Sequence, residues 1–259
     1  MAAPFSVSVR PARVLAVLGA IIAVLVGLSV LGQSVRFGLG YGQLLGLIDG
    51  VDVDAEANIP TFFACAQLLL AAGLAGLVAV GAWRDGDVFR RHWVGLSLLL
   101  GGFAIDEFVQ LHEQLATLPF LPARSGVLFY AWVLPGMALV GFFGMAYARF
   151  FWALPARWKG LFGGAAAVFV GGAIGVEMIG GWYASQYGEI SFVHAVITTV
   201  EEALEMGGIA LLVYALLDYL RVHYGALRLD FDVPSASERR ATGRQRRPVI
   251  GGLPHAKAK

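Results

Sequence analysis

A single cysteine, Cys65, stands in 259 residues. That excludes an intramolecular disulfide and any cysteine-rich metal site. Charge is scarce as well. Asp, Glu, Lys and Arg together make up 14% of the chain, against roughly 25% in soluble domains. Apolar residues reach 58% and the mean hydropathy is +0.71. A soluble globular domain is excluded, and a multi-pass membrane protein is implied. Also lacking are an internal repeat, a Walker loop, a dinucleotide fingerprint and a serine elbow. The net charge of +1 is the sum of segregated runs, and no nucleic-acid partner is expected.

The amino terminus has part of an export signal. Arg10 and Arg13 precede an apolar run from Val14 to Gly32. That run exceeds the ~7–15 residues of a signal core, and no clear cleavage site follows, so it reads as a retained first span. The chain is an all-α, polytopic membrane bundle of six transmembrane helices. Residues 1–13 form a cytoplasmic terminus, 14–224 the transmembrane domain, and 225–259 a basic, disordered cytoplasmic tail. The spans are expected at 14–33, 60–82, 93–115, 126–148, 160–183 and 192–220. They are helical because lipid leaves an isolated strand's backbone groups unpaired. The fifth, "GLFGGAAAVFVGGAIG", carries small residues that permit close helix approach.

Orientation follows from the basic residues. Arg10 and Arg13, then Arg84, Arg90 and Arg91, then Arg149, Arg157 and Lys159 lie on one side with the basic tail, whereas the other side has only Arg36 and Arg124. Positive-inside bias places both termini in the cytoplasm of a cell whose inner membrane holds the protein. The first outer connection, "LIDGVDVDAEANIPT", has two readings. It is a solvated acidic loop whose Asn58 and Pro60 start the second helix, or a vestibule that attracts cations.

Carboxylates inside the spans are the feature that needs explaining. At about 100° per residue, His194, Thr198, Glu201 and Glu205 share one stripe of the sixth span, with Glu202 at its edge. In the third span, "AIDEFVQLHE", Asp106 and Glu113 are expected on one face, Glu107 on another, and His112 between them. Glu177 interrupts the fifth. All fall in the outer half of the bilayer on this topology. An ionised acid near the bilayer centre costs about 2.5–3.5 kcal/mol, so four or five of them would consume most of a typical stability of about 5–15 kcal/mol. No Lys or Arg lies inside the six spans. Protonation, hydration or bound cations must compensate.

The motifs "AIDEFVQLHE" and "VEEALEMGG", with "DAEANIPT" before the second span, resemble a group of uncharacterised bacterial six-span membrane proteins. A fainter resemblance links Asp106 to the intramembrane Asp of the ceramidase and adiponectin-receptor superfamily of zinc hydrolases. There, however, a late His-x-x-x-His supplies ligands, and Thr198 stands four places after His194.

Three functions remain open. The first is a metal-dependent enzyme acting on a lipid-like substrate of the surrounding membrane. Asp106, Glu113, His194, Glu201 and Glu205 would be ligands for Zn, Fe or Mn, with His112 a further one, and Glu107, Glu177 or Glu202 would be the general acid or base. The second is a proton- or cation-coupled transporter or channel using the acids as a relay. The third is a structural or sensory subunit whose acids a protein partner satisfies. Plainer roles compete residue by residue: Glu113 as an interfacial acid, Glu177 as a packing acid, His112 as an interfacial hydrogen-bond partner, and Thr198 bonded back to its own helix.

Overall fold

A computed structural model describes residues 9–41, 45–55, 57–115 and 125–225, with only the backbone of Glu113. Glu56, Arg124 and the tail beyond Gly225 lie outside the described residues. Those described form helices α1 (Pro11–Leu39), α2 (Leu47–Val51), α3 (Ile59–Arg84), α4 (Arg90–Val109), α5 (Leu111–Leu115), α6 (Val133–Ala153), α7 (Ala156–Val170), α8 (Glu177–Tyr187) and α9 (Phe192–Tyr224), and no strand. Six helices are long and apolar enough to cross a membrane, α7 and α8 counting as one.

Local chemistry sets their ends. Pro11 starts α1, where its missing N–H is no loss, and Gly40 closes it at φ 73°. Asn58 caps α3 by accepting the Thr61 amide at 3.1 Å, as its position before Pro60 predicts. Ser191 caps α9 through the His194 amide. The fourth span begins at Val133 rather than 126, because Pro135 belongs in the first turn of a helix. A turn of π-helix, Gly171–Val176, joins α7 to α8 without a break in the rod.

The third span is not one helix. Gln110 takes the left-handed conformation (φ 59°) and ends α4, and α5 starts in a new direction. Asp106 stabilises the joint, accepting the His112 amide at 2.9 Å and facing His112 Nδ1 at 3.0 Å. Helical periodicity is therefore interrupted between Asp106 and Glu113.

Helix α9 is the axis. Of its apolar window 56% is buried, against 11% for α6 on the periphery. It packs on α1, α3, α7 and α8. Ala71, Ala75, Val78, Ala79 and Ala82 of α3 are buried beside Val213 and Leu216 of α9, and small side chains allow that approach. Large apolar residues such as Leu98, Phe142 and Met145 are exposed on the outside, as a lipid-facing surface requires.

The two ends differ. At the basic end, Trp93, Phe150, Phe162, Trp158 and Tyr219 form an aromatic cluster. Asp218, 1% exposed, pairs there with Arg157 at 2.6 Å and Arg221 at 2.8 Å. At the acidic end, Asp52 is buried against α1. It accepts from Ser29 at 3.3 Å and from Gln33, and Arg36 reaches both Asp52 and Asp49. Part of the first connection is thus folded structure, more ordered than a solvated loop.

Candidate functional site

Midway along α9, its acids meet other helices. Glu202 and Glu205 of α9, Glu107 of α4 and Gln67 of α3 line one cavity of about 20 Å³, walled by Leu68, Phe169 and Met206. That is room for about one water molecule. Gln67 is 2% exposed, and neither its amide oxygen nor its nitrogen has a partner. A wholly unpartnered buried amide costs about 1–3 kcal/mol. The wall is tight. A Cβ on Gly208 would lie 2.6 Å from the Phe169 amide nitrogen, and one on Gly172 would lie 2.9 Å from the Glu201 carbonyl oxygen.

Toward the acidic end the carboxyl groups continue pairwise. Glu201, buried, lies within hydrogen-bonding reach of Glu177 on α8. Glu177 also accepts the Trp132 indole N–H at 2.7 Å. The Trp132 ring sits 5.0 Å from that of His112, the partner of Asp106. Glu205, one turn further along α9, interacts electrostatically with Glu201 and with Glu107.

His194 belongs to a different place. Its Nε2 meets the Tyr130 hydroxyl at 3.0 Å, and that hydroxyl donates to Glu189 at 3.2 Å. Burial and the neighbouring Glu189 carboxylate push the Tyr130 phenol well above its usual range, so it remains a proton donor. Eleven residues of helix separate His194 from Glu205, about 16 Å of rise, so the two do not address one centre.

Of the nine candidates, Glu107, Glu202 and Glu205 share a cavity, Glu177 and Glu201 form a second pair, Asp106 and His112 a third, and His194 stands alone nearer the acidic end. Nothing is described of the Glu113 side chain. Thr198 bonds back to the carbonyls of His194 and Ala195, its plainer role. Among the described residues, no three His, Cys, Asp or Glu are grouped so as to hold a metal ion. Residue reading missed Gln67, Tyr130 and Trp132. Gln67 had a signal, as a lone amide in the apolar run "ACAQLLLAA".

A family model described as a domain of unknown function, DUF8692, matches residues 11–219. No curated protein and no solved structure matches the chain.

Proposed function

We propose that this chain, which belongs to the DUF8692 family, is an inner-membrane protein that relays protons along its intramembrane carboxyl groups, with both termini in the cytoplasm. The basic residues of the connections support that orientation. One observation carries the relay. Glu177 touches Glu201, while Glu107, Glu202 and Glu205 line a water-sized cavity, and among the described residues no Lys or Arg lines that cavity. Carboxylates in contact repel unless a proton or cation lies between them. Acids spread over separate contacts suit protons handed on, where a metal site needs donors around one point.

The relay opens toward the acidic end through Glu177 and Glu201. Beyond Glu205 the fully buried Val78, Val213 and Leu216 seal the way to the basic end. Transfer across the membrane therefore requires movement, which matches a coupled transporter better than an open channel. The π-turn ends beside Glu177, and π-bulges recur at functional sites.

The test uses full-length protein in liposomes with a trapped pH-sensitive dye and a clamped membrane potential. An imposed pH gradient should collapse faster than in empty liposomes, and Glu205→Gln should restore the empty-liposome rate. Equal rates for wild type and variant would refute the relay.

A second reading is the metal-dependent membrane enzyme acting on a lipid-like substrate. The residue types favour it in one respect, since the carboxylates and amide oxygen that line the cavity are hard donors suited to Mn or Fe, with Zn also compatible, although they are not gathered around one point. Elemental analysis of the purified protein should then find stoichiometric metal that Glu202→Gln removes. Metal-free folded protein would exclude it.

A further inference from the structure

Helix α6 leaves most of its surface open, and along it Phe142, Met145, Arg149 and Trp152 are all exposed. At about 100° per residue these four fall within about 80° of one another, on a single stripe. The stripe is apolar toward the middle of the membrane and cationic at the basic end. There the Lys159 ammonium of α7 sits 5.5 Å from the centre of the Trp152 ring. We infer that this stripe binds one anionic phospholipid of the phosphatidylglycerol class, with its phosphate at Arg149, Lys159 and the Trp152 indole and an acyl chain along Met145 and Phe142.

Charge is the first argument. Between Glu113 and Glu177 the sequence has no Asp or Glu. Helices α6 and α7 and their turn therefore carry three cations, Arg149, Arg157 and Lys159, and no acid. Asp218 of α9 engages Arg157 at 2.6 Å. Among the described residues, no carboxylate pairs with Arg149 or Lys159. A zwitterionic headgroup would bring its own ammonium beside these two cations, whereas an anionic headgroup brings only the phosphate.

Length is the second argument. Ten residues of helix separate Phe142 from Trp152, about 15 Å of rise, and half of a bilayer's hydrocarbon core is also about 15 Å. The stripe thus spans one leaflet, with Trp152 at the headgroup level that interfacial indoles occupy. Arg149 lies one turn below Trp152, and its long side chain can lift the guanidinium to the same level. A guanidinium fork matches phosphate oxygens, and an indole N–H adds a donor. The site requires only that α6 faces lipid and does not depend on the relay proposed above.

Fluorescence quenching on the full-length protein in phosphatidylcholine vesicles tests it. The vesicles contain equal minor fractions of either phosphatidylglycerol or phosphatidylcholine brominated on its acyl chains, and the Trp152 signal is the part lost in Trp152→Phe. The brominated phosphatidylglycerol should be preferred at Trp152 by more than about tenfold, each cation contributing about fivefold near an anionic headgroup. Arg149→Gln and Lys159→Gln should each reduce that preference about fivefold. Arg84→Gln, an exposed arginine at the end of α3, should leave it unchanged, as should Glu205→Gln and added inorganic phosphate. Equal quenching by the two brominated lipids, an undiminished preference in both the Arg149 and Lys159 variants, or an equal loss in Arg84→Gln would overturn the inference.

Discussion

Gly207 and Gly208 are neighbours on α9, yet alanine should affect them in opposite directions. A Cβ at Gly208 would lie 2.6 Å from the Phe169 amide nitrogen, 2.7 Å from its Cβ and 2.8 Å from its Cα, whereas one at Gly207 would meet nothing within 4 Å. Non-bonded carbons rest at about 3.5–4.0 Å. Two of the three obstructing atoms are backbone, so no side-chain rotation relieves them, and α7 must retreat by about 1 Å. Overpacking of that kind costs about 1–3 kcal/mol, partly offset by about 1 kcal/mol of helix propensity gained over glycine. Gly208→Ala should therefore destabilise by up to about 2 kcal/mol, and Gly207→Ala should stabilise by up to about 1 kcal/mol. At about 2–4 °C per kcal/mol for a chain of this size, tryptophan-monitored thermal unfolding in detergent resolves the two. Phe169 also lines the cavity with Glu202 and Glu205, so Gly208→Ala should slow proton flux as well. Equal melting shifts for the two variants would refute the close approach of α7 and α9.

Three further outcomes are expected. Gln67→Leu should raise stability by about 1–3 kcal/mol by removing an unpartnered buried amide while impairing proton flux; a lower melting temperature would mean the amide is satisfied. Asn58→Ala should cost about 1–2 kcal/mol, because Asn58 caps α3 and also donates to the carbonyls of Asp49 at 2.9 Å and Asp52 at 2.6 Å; unchanged denaturation would contradict it. Tyr130 is held protonated in the fold. Its contribution to stability is complete below the ordinary phenol range near pH ~10 and is lost as pH rises beyond it. Tyr130→Phe should flatten that alkaline limb of a stability–pH curve, and an unaltered limb would show that Tyr130 plays no part in it.

The six-helix architecture was legible because hydropathy alone forces it, and the caps at Asn58 and Gly-rich contacts in the fifth span followed from side-chain chemistry. The break at Gln110 was not legible. It depends on Asp106 receiving the His112 amide, a contact that exists only once the turn has formed. The polar stripe of α9 was right in angle and misleading in depth. Residues seven or eleven apart share a face, but about 1.5 Å of rise per residue separates His194 from Glu205 by several turns. Helical ligands of one ion lie three or four residues apart, a rule the sequence could have been made to yield. Convergence of Glu107 with Glu202 and Glu205 followed from depth, since spans running in opposite directions placed them in one layer. Trp132 and Tyr130 gave no warning, because their partners lie 45 and 64 residues away.

The π-turn at Gly171–Val176 makes the membrane rod sensitive to length. Such a turn accommodates a surplus residue within an otherwise α-helical run. Deleting Gly175 would let regular winding close over the turn with the two halves near their present register, whereas deleting a residue of the regular helix before it, such as Gly164, whose surroundings are open, would swing one half of the rod by about 100° against the other. Hydropathy would scarcely change, and insertion into lipid would proceed. Glu177 would nevertheless leave Glu201, parting the two acids as completely as replacing one of them.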